Sequence, residues 1–225
     1  MMRDRREAAA GGKENMDALN TLKMVTVVLL YGTSLGSFLV LAGLWCFGRL
    51  PHWIAAYYSG AVLLCGFGWE FWFAYGWGGG ASIAERRTAQ MNELIPPWFN
   101  GVGNAMGDAF GIAVVGLVLV WLFCGAAAFD RWKWSALTVL LVWFVGENIL
   151  IELTVYQAQL TSGAVLSWAP FSPFGNAWNP QLLDICGRTV HLQTQLPWVV
   201  MTPILYALAI VCKRRWPPAA GCLNT

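Results

Sequence analysis

Four acids stand where apolar side chains are expected. Glu70, Asp108, Glu147 and Glu152 each fall inside a long hydrophobic stretch, and no Lys or Arg falls inside the same stretches. If those stretches cross a bilayer, a charge at the centre costs about 3 kcal/mol on insertion scales, so an acid kept there is a functional candidate by default. Three chemistries fit such acids. They are held neutral because water is excluded, they bind a metal or alkali cation, or they face a cationic intermediate or a substrate proton. Glu70 and Glu152 lie near the ends of their stretches, where simple wetting is an alternative account. Asp108 and Glu147 lie deeper.

Helical spacing groups these acids with amides. Asn104 and Asp108 are four residues apart and share a helix face, and Asn148 and Glu152 do the same. Glu147 precedes Asn148 and points about 100° round the same helix. Three acids and two amides on adjacent helices make a polar pocket in an apolar bundle. Gly103, Gly107 and Gly111 run beside Asn104 and Asp108. This small-xxx-small spacing lets a second helix approach closely and turns Asp108 towards protein.

Aromatic side chains crowd Glu70: Trp69, Phe71, Trp72, Phe73, Tyr75 and Trp77. Aromatic faces attract cations by about 2 kcal/mol or more when desolvated. An acid beside indole rings in a dry pocket suits protonation of an alkene or guidance of a carbocation. The competing account is an aromatic belt at the lipid headgroups. Trp168, in the longest connection, is a further candidate pocket residue. His191 is the better placed of the two histidines, just before the last apolar run.

The six cysteines form no CxxC pair, which disfavours a thiol redox site or a zinc site. No Asp-rich pair for prenyl diphosphate is present, so prenyl transfer is disfavoured. The chemistry expected is therefore cofactor-independent. Magnesium or iron held by the acids, the amides and His191 is the retained alternative.

These residues need helices to hold them, and the composition supplies membrane helices. The 225-residue chain is 57% hydrophobic and 12% charged, about half the charge of a soluble domain, with a mean hydropathy of +0.53. A net charge of +2 with scattered basic residues excludes a nucleic-acid groove. A span needs roughly 20 apolar residues, and five stretches qualify: 24–47, 53–75, 103–129, 134–156 and 196–211, the last interrupted by Pro203. The expected fold is an all-α integral membrane bundle of five spans within 23–212. It is flanked by a polar N-terminal tail, 1–22, and a basic C-terminal tail, 213–225. Both termini are basic although five spans put them on opposite sides. A loop therefore hides one or two further membrane segments, or one terminus breaks the positive-inside rule. The C-terminal cluster Lys213, Arg214 and Arg215 places that end in the cytoplasm, across a cell membrane.

Two connections carry further expectations. Residues 76–102 hold a polar run from Glu85 to Glu93, read as one short interfacial helix. Residues 157–195, rich in Trp and Pro, are read either as a lid or re-entrant cap or as a headgroup belt. No internal repeat appears, so an inverted-repeat transporter gains no support.

The segment Cys65-Gly66-Phe67-Gly68-Trp69-Glu70-Phe71 resembles the Trp-Glu segment of small membrane-bound terpene cyclases of fungal meroterpenoid and bacterial drimane-type pathways. Asp108 resembles an acid of that family, and the likeness covers the first half of the chain. The family's further acid near its last helix has no counterpart here, and the 157–195 loop has none in the family. A looser similarity is to sterol-isomerase-type membrane proteins. Both imply proton donation to, and removal from, an isoprenoid within the membrane. The leading expectation is thus an enzyme that cyclises, isomerises or hydrates an isoprenoid or lipid. Glu70 or Asp108 is its acid, Glu147 or Glu152 its base or cation stabiliser, and Trp69, Trp72, Trp168, Asn104, Asn148 and His191 line the substrate. The alternatives are a proton- or cation-coupled transporter, for which a homodimer would supply more spans, and an accessory or assembly subunit of a membrane complex.

Overall fold

The computed structural model describes residues 2–76, 81–154, 180–185 and 187–217, with side chains described at residue 21, 24–25 and from 27 onward in those ranges. The chain is mostly helical. Four helices are long and apolar enough to cross a membrane: Val27–Cys46, Pro97–Cys124, Trp134–Leu153 and Leu192–Arg215. The apolar part of the first belongs to a longer helix, α1 (Met2–Cys46). The expected N-terminal tail is thus helical in its backbone. Its Ala, Glu, Lys and Met are good helix formers and it contains no Pro.

The remaining expected span forms α2 (His52–Cys65), a π-helical turn at Gly66–Glu70 and α3 (Phe71–Tyr75), one unbroken helical run. It is not among the four strongly apolar helices. Its Tyr57, Ala61 and Cys65 are fully buried within the bundle. Two short helices follow, α4 (Ile83–Arg86) and α5 (Ala89–Leu94), in place of the single interfacial helix expected. Arg87 and Thr88 between them are extended, and the Thr88 hydroxyl caps α5 by accepting from the Met91 N–H.

The third apolar helix comprises α6 (Pro97–Gly107), a π-helical stretch at Asp108–Val114 and α7 (Val115–Cys124). It stops short of the expected residue 129 because Gly125 takes φ +76°, open to glycine and strained for other residues. The fourth is α8 (Trp134–Leu153). Strands β1 (Gln181–Ile185) and β2 (Arg188–His191) form an antiparallel hairpin that leads into α9 (Leu192–Arg215). The mostly helical chain agrees with the expected all-α class, and the hairpin is a two-stranded addition to it. The Trp/Pro-rich part of that connection, with Trp168, lies outside the described residues, as does Trp77.

Lipid tails are as apolar as Leu, so close packing and internal hydrogen bonds hold such a bundle together rather than hydrophobic exclusion. Glycine supplies the close approach. A Cβ on Gly103 would lie 2.6 Å from the Tyr31 ring, and one on Gly107 would lie 2.7 Å from Ser34 Oγ. The expected small-residue face thus seats α1 against α6. Gly111 is different, with nothing within 4 Å of its ideal Cβ.

Side-chain contacts sort the helix ends. At one end Tyr31 meets Arg87 and Asn100, Asn104 meets Glu70, and Asn148 meets Thr194 and Gln195. At the other, Lys213 pairs with Asp130 at 2.7 Å, Arg214 donates to the Asp130 carbonyl, and Trp53 packs on Phe129. Glu70, Asp108, Glu147 and Glu152 all lie towards the first end.

Candidate functional site

Two of the acids sit on the two π-helical turns. Glu70 closes the turn Gly66–Glu70, and Asp108 opens the stretch Asp108–Val114. Such turns shift the helical register by about one residue and gather at functional sites. Here they have visible supports. The widened stretch offers carbonyls to neighbouring helices: Tyr57 donates to Ala113 O at 3.5 Å and Trp143 to Ile112 O at 3.1 Å. In the other turn Gly66 and Gly68 face the Phe71 ring and Met201, and Trp72 Nε1 donates to Phe67 O at 2.9 Å.

The turns bring the acids together. Asn104 Nδ2 donates to Glu70 Oε2 at 2.8 Å, and Trp69 Nε1 donates to Asp108 Oδ2 at 3.1 Å. The two donors belong to neighbouring helical runs, so Glu70 and Asp108 are held on facing segments. Trp69 is fixed edge-on against Trp198, with ring centroids 4.7 Å apart. Asp108 is therefore oriented by an indole that is itself packed against α9.

Asp108 opens onto a cavity of about 190 Å³ between α1, the α6 segment and α8. Ser34 and Ser37 line it from α1, Asn104, Asp108 and Gly111 from the third helix, and Glu147 and Asn148 from α8. Glu147 Oε2 is buried there without a hydrogen-bond partner. A buried unsatisfied acceptor is costly unless something else occupies the site. The pocket expected from helix spacing therefore exists, with Asp108 and Glu147 on different walls.

One residue of the site was not foreseen. Arg87, from the connection after α4, is only 4% exposed. Its guanidinium donates to Ile95 O and to the Tyr31 hydroxyl, both at 3.4 Å. Asn100 also donates to the Tyr31 hydroxyl. No Lys or Arg is expected inside the apolar stretches, and Arg87 lies outside them. A connection folds back and inserts it. The only sequence signal was a polar run too short to bury a full helix face. Arg87→Leu is expected to cost about 1–3 kcal/mol, since it strands the Ile95 carbonyl and removes a donor to the Tyr31 hydroxyl. A lowered thermal midpoint in detergent would show it, and an unchanged midpoint would remove Arg87 from the architecture of the site.

Glu152 belongs elsewhere. It accepts from Thr194 Oγ1 at 3.1 Å and from Gln195 Nε2 at 2.9 Å, while Asn148 donates to Gln195 Oε1 at 2.9 Å. The expected shared face of Asn148 and Glu152 is present, but it fastens α8 to the start of α9. His191 joins this cluster at the N-terminal boundary of α9, its carbonyl accepting from Thr194 Oγ1 at 2.7 Å. Neither Glu152 nor His191 lines the acid cavity. Trp72 is 42% exposed and turned to its own backbone, so it does not line the cavity either. Among the described residues no group of three His, Cys, Asp or Glu is placed to hold a metal.

A second void of about 30 Å³ lies between Trp69, Glu70, Asn148, Thr194 and Trp198. It has room for a water. Asn148 borders both voids.

Compared with protein-family models, with curated proteins and with solved structures, the chain matches none.

Proposed function

We propose that this chain is an integral membrane enzyme that moves protons on an isoprenoid or similar lipid, by cyclisation, isomerisation or hydration. The observation that carries the reading is the placement of Asp108 and Glu147 on different walls of one cavity. Asp108 gives a proton to a substrate alkene. Glu147, whose Oε2 has no other partner, takes a proton from the adjacent carbon or from an added water. A shifted double bond, a closed ring or an alcohol results with no net oxidation, and the chemistry balances without a redox partner. Both line the same cavity, and a proton returned from Glu147 to Asp108 resets the pair. Glu70, held by Asn104 beside Asp108, is the positioning acid.

The cavity is smaller than the 300 Å³ or more usual for a drug-sized ligand. It therefore encloses the reacting end of a substrate and leaves the tail in lipid. Leu30, Phe110, Ile112 and Ile151 supply its apolar lining. The cluster Lys213 to Arg215, directly at the end of its span, supports a cytoplasmic C-terminus by the positive-inside rule. The His52–Tyr75 run completes five spans in this reading.

The test is extraction of the purified protein and mass spectrometry of its small molecules, for wild type, Glu70→Gln and Asp108→Asn. An isoprenoid or sterol-like lipid, changed in identity or ratio by the substitutions, is the expected result. Bulk phospholipid alone, identical in all three, overturns the enzyme reading.

Proton- or cation-coupled transport is the second reading. It is favoured by Asn148, which borders both voids and stands between two groups of carboxyls of the kind that relay protons in membranes. Proton uptake into liposomes that the two substitutions abolish would select it.

A further inference from the structure

At the end of the bundle remote from the acids, a cavity of about 370 Å³ opens beside α2 and α7. We infer that it is a binding site for a phospholipid with an anionic phosphate headgroup, one acyl chain lying along α7. Three observations carry this.

The walls have the shape of a chain. Val114, Val118 and Trp121 line the cavity at successive helical turns, with Ile54 opposite on α2. They span about 10 Å of helix length. Val118 and Trp121 are about half exposed, so the groove faces the surroundings of the bundle rather than its core.

The mouth has the charge of a headgroup site. Arg49 and Lys213 line it together. Lys213 is held by Asp130 and by the Ala126 carbonyl at 2.9 Å, which fixes its position at the rim. Among the described residues Arg49 pairs with no acid, and its guanidinium keeps five donors for an incoming anion. Arg131, Lys133, Arg214 and Arg215 add to the field at the same end, against Asp130 as the one acid of that end among the described residues. Basic pockets between transmembrane helices take anionic lipid heads for this reason.

The depth is consistent. Arg49 lies in the turn between α1 and α2, and Lys213 in the last turn of α9. Both are at helix ends, where headgroups meet the protein, and the apolar stripe runs from there towards the bilayer interior.

The test uses the full chain in detergent, stripped of lipid and titrated with phosphatidylglycerol or phosphatidylcholine, with bound lipid counted by native mass spectrometry. One phosphatidylglycerol binding in preference to phosphatidylcholine is expected. Arg49→Gln lowers its affinity about fivefold, the equivalent of about 1 kcal/mol per basic residue at an anionic surface. Val118→Trp, which fills the groove from an exposed position, removes the tight site while the thermal midpoint stays within a degree or two. Arg215→Gln, outside the cavity lining, lowers the affinity by less than about twofold. Equal affinity for the two lipids, no effect of Arg49→Gln, or an equal loss in Arg215→Gln overturns the proposal. So does full competition by soluble glycerol phosphate, which marks a free-anion site with no use for the acyl chain.

Discussion

Asp108→Asn is expected to lower turnover of the co-purifying lipid by about 100- to 10,000-fold, the usual contribution of a positioned proton donor, while the protein folds and is purified normally. The amide has nearly the shape of the acid, and its oxygen still accepts from Trp69 Nε1, which sits 3.1 Å from Asp108 Oδ2. Only the transferable proton is lost. Glu147→Gln removes the acceptor on the other wall and is expected to fall as far. Groups that act as a unit are not additive, so the double variant should be no worse than the poorer single one. Glu152→Gln is the contrast. Glu152 fastens α9 through Thr194 and Gln195, so its replacement should move the thermal midpoint and spare turnover. A fully active Asp108→Asn, or a Glu152→Gln as dead as Asp108→Asn yet equally stable, would sink the acid–base assignment.

Gly103→Ala should be the most damaging small substitution to stability. The new methyl would lie 2.6 Å from the Tyr31 ring. That ring cannot swing aside cheaply, because it is 4% exposed and its hydroxyl is held by Arg87 and Asn100. Either α1 separates from α6 or the Tyr31 cluster breaks. Overpacking of this kind costs about 1–3 kcal/mol or more, a loss of several degrees in thermal midpoint or outright failure to purify. Two turns along, Gly111 has open space beyond its Cα and lines the acid cavity. Gly111→Leu should therefore leave the thermal midpoint nearly unchanged and abolish turnover by filling the cavity. Equal stability losses at Gly103 and Gly111 would show that the glycine face does not seat α1 as described.

What the sequence determined by itself follows from local periodicity and composition. Apolar stretches of span length announce membrane helices because a bilayer excludes unpaired backbone polar groups. The spacing of Asn104 to Asp108 and of Asn148 to Glu152 sets which side chains share a helix face, and both pairs are on common faces in the structure. The glycines at 103 and 107 announced a close helix contact, since only glycine admits one.

Tertiary structure decided how those faces meet. Asn148 and Glu152 share a face, yet only Asn148 reaches the acid cavity; Glu152 is drawn off by Thr194 and Gln195. Trp72 was grouped with Glu70 by proximity in the chain, but on the helix it turns outwards. The π-helical stretch at Asp108 is stabilised by partners on other helices, Tyr57 and Trp143, so no local pattern announces it. Arg87 is the plainest case. Its burial beside Tyr31 and Ile95 depends on where a loop lands after α1, α3 and α6 have packed. Helix periodicity carries no information about that, because the rotation of each helix about its axis and the path of each connection are set by contacts between segments distant in the chain.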